Sequence, residues 1–231
     1  MHRWDLSPRE AVALQRELRE RLIQHPPPGF APRLFGGADV SVSRFSRVGH
    51  AAVVVLDADT LQMVDQGSAV AELDFPYVPG LLSFRELPAL ELAWRRLGTR
   101  PDVLIFDGVG IAHPRRFGIA AHGGILLDVP SIGCAKSILV GRHEPLGEEA
   151  GAMAPLVDRG EVVGMALRLR ARVQPVYVSA GHRMDLATAV EIVRRASVGY
   201  RLPETTRRAH ALVNELRRAA ESGDAGDHRA D

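Results

Sequence analysis

Three extended runs in succession, residues 34–43, 50–57 and 61–72, give way to alternating helices and short apolar strands, and this order constrains the fold more than any other feature. In the first run Phe35, Gly37, Asp39 and Ser41 alternate with Ala38, Val40 and Val42, the two-residue period of a strand with differently clothed faces. Asp57-Ala58-Asp59-Thr60 supplies a tight turn between the second and third runs, so the three read as an antiparallel meander. A helical pattern over 83–97 and the short buried strand 103–106 follow, and the alternation continues through 119–127 and 131–135. A second extended pair, 161–170 and 174–179, precedes helices over 185–196 and 203–220. Upstream, Ser7-Pro8-Arg9-Glu10 has the form of a capping box with proline at the first helical position, and Leu14, Leu18 and Leu22 recur at helical spacing. The spacing predicts a helix over 7–24 that stops at Pro26-Pro27-Pro28. Such an order predicts one α/β domain, residues 1–220, with a mixed sheet. Residues 221–231 offer nothing to bury and are expected to form a disordered tail.

A chain of 231 residues can bury a sizeable core without covalent staples. One cysteine, Cys134, excludes a disulfide framework and a cysteine-based zinc site; on a short apolar strand it reads as a packed residue. The amino terminus has no apolar run of the kind a secretory signal needs, and no stretch is long and apolar enough to span a membrane. A cytoplasmic protein with no membrane partner, acting as a monomer, is expected. The net charge of +1 gives no overall field for nucleic acid. Binding of that kind would need a local basic face, for which Arg115-Arg116 and Arg207-Arg208 are candidates. Within the 29 basic residues 28 are arginine, and Lys136 is the one lysine.

Several positions carry possible chemistry. Asp39 is a carboxylate in mid-strand, costly unless paired, so it meets either an arginine or a cation. Asp107 follows Val103-Leu104-Ile105-Phe106 and precedes Gly108-Val109-Gly110. That projects a carboxylate from the carboxyl end of a strand, where ligands of open α/β sheets bind, although Asp-Gly is also a common turn pair. Glu86 sits early in a helix, where an acid ordinarily complements the helix dipole. Three carboxylates on separate elements would make a hard oxygen site suited to Mg2+ or Mn2+. His113, ahead of Arg115-Arg116, and His210, behind Arg207-Arg208, are the histidines near an arginine pair, and on a helix His210 reads equally as an exposed surface residue. Lys136 ends an apolar strand; its compact ammonium suits a phosphate oxygen or the orientation of a water in a way the arginine fork does not.

Three segments together, Phe75-Pro-Tyr-Val-Pro-Gly-Leu-Leu-Ser-Phe-Arg-Glu, Phe106-Asp-Gly-Val-Gly-Ile-Ala-His-Pro-Arg-Arg-Phe-Gly-Ile-Ala and Ile132-Gly-Cys-Ala-Lys-Ser, resemble the endonuclease V family of deoxyinosine 3′-endonucleases. Shorter matches are Gly37-Ala-Asp-Val-Ser, Ser179-Ala-Gly-His-Arg-Met-Asp and Pro203-Glu-Thr-Thr-Arg-Arg-Ala-His. The resemblance implies an RNase H-like fold, in which the antiparallel meander continues into parallel strands flanked by helices. It implies that Asp39 and Asp107 hold catalytic Mg2+, which Mn2+ can replace, with Glu86 and His210 completing the site directly or through water. Lys136 would be the active-site lysine. Pro76, Tyr77, Val78 and Pro79 would form a wedge that fills the gap left at the lesion, and Gly80, Leu82, Gly108, His113 and Gly118 the wall of a pocket for the flipped base.

The implied activity is hydrolysis of the second phosphodiester 3′ to deoxyinosine, leaving a nick with 3′-OH and 5′-phosphate. Two alternatives are an inosine-specific endoribonuclease acting on inosine-containing RNA, and a non-catalytic lesion-binding adaptor. The adaptor would need a broken metal site, whereas all three carboxylates and the lysine are present. Val109 departs from the family pattern, in which a polar residue commonly stands between the two glycines, and bears on lesion preference.

Overall fold

In the computed structural model, residues 2–42 and 47–227 are described. Helix α1 (Pro8–Arg19) opens on the expected capping box: Ser7 N donates to Glu10 Oε2 at 2.8 Å, and Glu10 N returns to Ser7 Oγ at 3.3 Å. The helix ends at Arg19 rather than reaching the prolines, because Arg21 N and Leu22 N turn back to Leu18 O and Arg19 O in single tight turns. Leu18 and Leu22 still serve the packing that their spacing implies, against Phe117, Ala121 and Ile125.

The meander forms as read, in β1 (Leu34–Val42), β2 (Val48–Asp57) and β3 (Met63–Glu72), each antiparallel to the next. Ser43, the last residue of the first expected run, lies outside the described residues. After α2 (Leu82–Arg95), strand β4 (Val103–Phe106) pairs parallel with β1. Then α3 (Ile119–Leu127) leads into β5 (Ser131–Ala135), which is parallel to β4. Beyond them lie β6 (Met153–Asp158), β7 (Glu161–Leu167), β8 (Val176–Ala180), α4 (Leu186–Arg195) and α5 (Glu204–Asp227).

Among the described residues eight strands form one mixed sheet, ordered β3-β2-β1-β4-β5-β8-β7-β6. Its middle carries the fold's logic. On β4, Val103 and Ile105 enter one core with Phe35 and the apolar side of α4, while Leu104 and Phe106 enter another with Ala38, Leu87, Leu90 and Trp94. A four-residue strand buried on both faces therefore divides the two helical layers. Among the described residues no helix is long and apolar enough to cross a membrane.

Two further expectations need correction. The extended pair 161–170 and 174–179 is part of a three-stranded extension, because β6 precedes β7 in a hairpin. Arg159 and Gly160 both carry positive φ, 55° and 80°, as the two-residue hairpin turn requires. Pro155 within β6 argues against a strand in sequence, yet β6 lies at the sheet edge, where a missing N–H costs little. The second correction concerns the tail: α5 continues to Asp227, past Glu221 where a disordered segment was expected to begin, and 228–231 lie outside the described residues.

Candidate active site

The β1–β4 register sets Ala38 opposite Phe106, which brings the next residues, Asp39 and Asp107, to the same end of neighbouring parallel strands. Asp107 N donates to Ala38 O at 3.3 Å. On β1 the alternation holds, since Ala38 and Val40 pack toward α2 while the other face meets α5. Gly37 makes that second contact possible: a Cβ there would lie 2.3 Å from the backbone carbon and oxygen of Thr205. With α5 that close to β1, His210 reaches across, its Nδ1 2.8 Å from Asp39 Oδ2. Asn214, one turn on, lies 3.0 Å from His210 Nε2 and accepts from Ser41 Oγ at 3.3 Å.

Lys136 follows β5 and donates from Nζ to Asp107 Oδ2. Its own carbonyl accepts from Arg201 Nη2 at 2.7 Å. Glu86 approaches from α2. Burial first, and then the charges of Asp39 and Asp107, push its carboxyl up to about 8, and Arg85 opposes the shift. Burial, followed by Asp107, also raises Asp39, against the pull of His210 and Lys136. The structure thus gathers Asp39, Glu86, Asp107, Lys136 and His210 around the central strands β1, β4 and β5, where neighbouring acid charge helps to raise both Asp39 and Glu86.

A divalent cation fits this set by its donor chemistry. Mutually repelling carboxylates backed by one ammonium lack positive charge, and a hard cation supplies it to oxygen ligands. As placed, Asp39 is engaged by His210 and Asp107 by Lys136. Among the described residues no three His, Cys, Asp or Glu side chains are drawn together as a group that could hold a metal ion. Cys134 is buried and far from thiolate chemistry: burial, then the charge of Asp107, raises its thiol.

A cavity of about 160 Å3 is lined by Tyr77, Val78, Pro79, Gly80, Leu82 and Val109, together with His113, Gly118 and Ile119. Its walls share elements with the charged group. Leu82 is one helical turn before Glu86 on α2, Val109 is two residues after Asp107, and Leu139, also in the wall, is three after Lys136. Tyr77 stands in solvent, 71% exposed. His113 is held neutral, its pKa lowered to about 4 chiefly by burial; Nε2 lies 2.9 Å from Gly80 O, and Nδ1 accepts from Arg115 N at 3.1 Å.

Of the residues expected in the wedge Pro76 is not part of this lining, and of those expected in the pocket wall Gly108 is not. Pro76 precedes the wall, and Gly108 serves instead for packing, because a Cβ there would meet Ile119 Cγ2 at 2.6 Å. Val109 occupies the wall in its place. Sequence reasoning passed over Gln15, Ser83, Ile119 and Leu139, which also line the cavity; in sequence each looks like an ordinary helix or loop residue. The arginine pairs do not form free basic faces. Arg116 is bound to Asp158 at 2.9 Å and Glu161 at 2.8 Å, and Arg207 and Arg208 both bind Glu204.

A family model described as Endonuclease V matches residues 16–211. The chain is 64% identical over 217 residues to an Endonuclease V of Myxococcus xanthus, covering 94% of this chain and 92% of that protein. Among solved structures, Endonuclease V of Streptomyces avermitilis superposes with a TM-score of 0.87 at 44% identity, over 94% of this chain and 96% of that one. Endonuclease V of Ciona intestinalis, solved with a 24mer DNA containing an inosine followed by a ribo-adenosine, gives a TM-score of 0.79 at 26% identity over 92% and 98%.

Proposed function

The chain belongs to the endonuclease V family and is a nuclease, and we propose that it recognises deoxyinosine in DNA and hydrolyses the second phosphodiester 3′ to it with the help of Mg2+. The observation that carries this reading is the adjacency of two features: the acid cluster with Lys136, and a small cavity walled by an exposed aromatic turn. Nicking beside a base that has left the stack needs both within one bound nucleotide or two. The inosine-containing DNA bound by the Ciona intestinalis relative supports the same substrate class.

Asp39, Asp107 and Glu86 would hold the ion. When bound, Mg2+ supplies charge neutralisation at the phosphate and a water acidified for attack. The remaining work belongs to the chain. Lys136 presents a compact positive charge beside Asp107 to a phosphate oxygen. His210, aligned by Asp39 and by Asn214, can carry a proton at the edge of the site. Pro76 and Pro79 restrict the turn that displays Tyr77, so less conformational freedom is lost when it enters the DNA duplex. The ribo-adenosine after the inosine in the Ciona intestinalis complex favours inosine-containing RNA as a second reading.

Incubation with a duplex bearing one inosine, in Mg2+ and in EDTA, tests the proposal. A single nick two bonds 3′ to the lesion, with 3′-OH and 5′-phosphate ends and only in Mg2+, is expected. Intact strands, or an abasic site, would sink it.

A further inference from the structure

Three side-chain groups converge on the carbonyl oxygen of Gly80: Gln15 Nε2 at 3.0 Å, His113 Nε2 at 2.9 Å and Arg115 Nη2 at 2.7 Å. A carbonyl oxygen offers two lone pairs, so this one is saturated and the end of the Tyr77 turn is pinned. Gln15 differs from the other two because it comes from α1, one residue before the segment matched to the family. Both of its donors and its acceptor oxygen are engaged. The same Nε2 donates to Phe117 O at 3.0 Å, and Oε1 accepts from Arg115 Nε at 2.6 Å.

The two carbonyls that Gln15 joins belong to two different segments that contribute to the cavity wall or adjoin it. Gly80 leads into Leu82, and Phe117 precedes Gly118 and Ile119 at the start of α3. Gln15 is 1% exposed. A leucine would fill such a site without desolvating an amide, so the bonded amide acts by imposing one spacing, since each of its bonds holds only at a fixed separation. The seat is tight. Gly80 has φ of 80°, and a Cβ there would lie 2.9 Å from Arg115 Nη2 and 3.3 Å from His113 Nε2.

We propose that Gln15 is a positioning residue for lesion recognition: its amide donors set the distance between the Tyr77 turn and the start of α3, and so the width of the pocket that accepts the flipped base. This inference rests on the inosine reading above. Gln15 makes no contact with Asp39, Glu86, Asp107 or Lys136 among its hydrogen bonds, so discrimination should suffer while turnover on saturating substrate persists.

The test compares wild type with Gln15→Met, which removes all three bonds, and Gln15→Glu, which keeps the acceptor for Arg115 but has no donor for Gly80 or Phe117. Each is checked by its melting curve and then titrated, in EDTA, with a duplex carrying one inosine and with the same duplex carrying adenine. Both variants should lose about tenfold in affinity for the inosine duplex and stay within about twofold of wild type on the adenine duplex, the fold-change expected for losing one to two net hydrogen bonds. Their kcat in Mg2+ at saturating inosine duplex should stay near wild type. Should Gln15→Met fail to fold, Gln15→Glu carries the comparison. An equal loss on both duplexes would mark a merely structural role and overturn the proposal, as would undiminished discrimination in Gln15→Glu. Wild type that ignores inosine would instead bring down the substrate reading, and this inference with it.

Discussion

Lys136 is held at both ends: Nζ rests on Asp107, and its carbonyl is fastened by Arg201. That double hold gives a reason for one lysine among 28 arginines. A guanidinium spreads its charge over a planar fork and needs more room than one carboxylate oxygen beside a phosphate offers. Lys136→Arg keeps the charge and displaces it. Single-turnover cleavage of an inosine duplex should fall on the order of 10²-fold, the usual consequence of losing one aligned donor at a reacting centre, with lesion affinity little changed. Near-wild-type cleavage would reduce the lysine to an accident of composition. At this scale the charged residues were legible in sequence, because a carboxylate in mid-strand or at a strand end is costly enough to demand a partner. Gln15 was not. A glutamine on an amphipathic helix looks like solvent-facing polarity, and its three bonds come from segments distant in the chain.

Among elements, the decisive contact is α5 on β1. Gly37 lets the first turn of α5 sit against the strand, and five residues past Thr205 that helix delivers His210 to Asp39. In Gly37→Ala the new methyl would meet backbone carbon and oxygen at 2.3 Å, atoms that cannot rotate away. The helix must lift, at a cost of roughly 1 to 3 kcal/mol for overpacking of this kind. Thermal unfolding should report that loss, and cleavage should fall further than stability because His210 and Asn214 move with the helix. A variant that melts like wild type and cuts like it would show that the contact is slack. The elements legible in sequence are those whose apolar pattern is complete within themselves, such as 103–106 and 119–127, both found at the expected boundaries. β6 was missed because Pro155 is tolerable only at a sheet edge, and sequence does not say which strand lies there. The end of α1 was misplaced for a related reason. Local turns ended it before the prolines could, and Ile23 N then points to His182 Nδ1 at 3.5 Å, a partner far along the chain.

For the molecule as a whole, basic and acidic residues are nearly equal in number, and arginines such as Arg116 and Arg207 are engaged by the protein's own acids. Its response to pH should therefore follow the groups that folding removes from water. His50, His113, His122 and His182 all have lowered pKa values with burial as the first cause. His122 goes furthest, to about 3, with His2 a second cause. It packs between Phe84 and Phe117, with Nδ1 3.0 Å from Ser83 Oγ and Nε2 2.8 Å from His2 Nε2. The native state keeps this ring neutral, while the unfolded chain protonates it below its ordinary value of 6.5. Between 6.5 and about 3 the unfolded state binds more protons, so the contribution of His122 is complete above 6.5 and is lost as pH falls. Glu86 acts in the opposite sense. Its raised carboxyl favours the native state below 4.5, and that advantage is lost as pH rises toward about 8. Comparing wild type with His122→Gln cancels Glu86, since both proteins carry it. Denaturant unfolding in EDTA from pH 7 down to 4.5 should show wild type losing stability more steeply than His122→Gln, whatever their offset at pH 7. Parallel curves would mean that His122 takes up a proton in the native state as readily as in the unfolded chain, and that the packing around it opens to admit the charge.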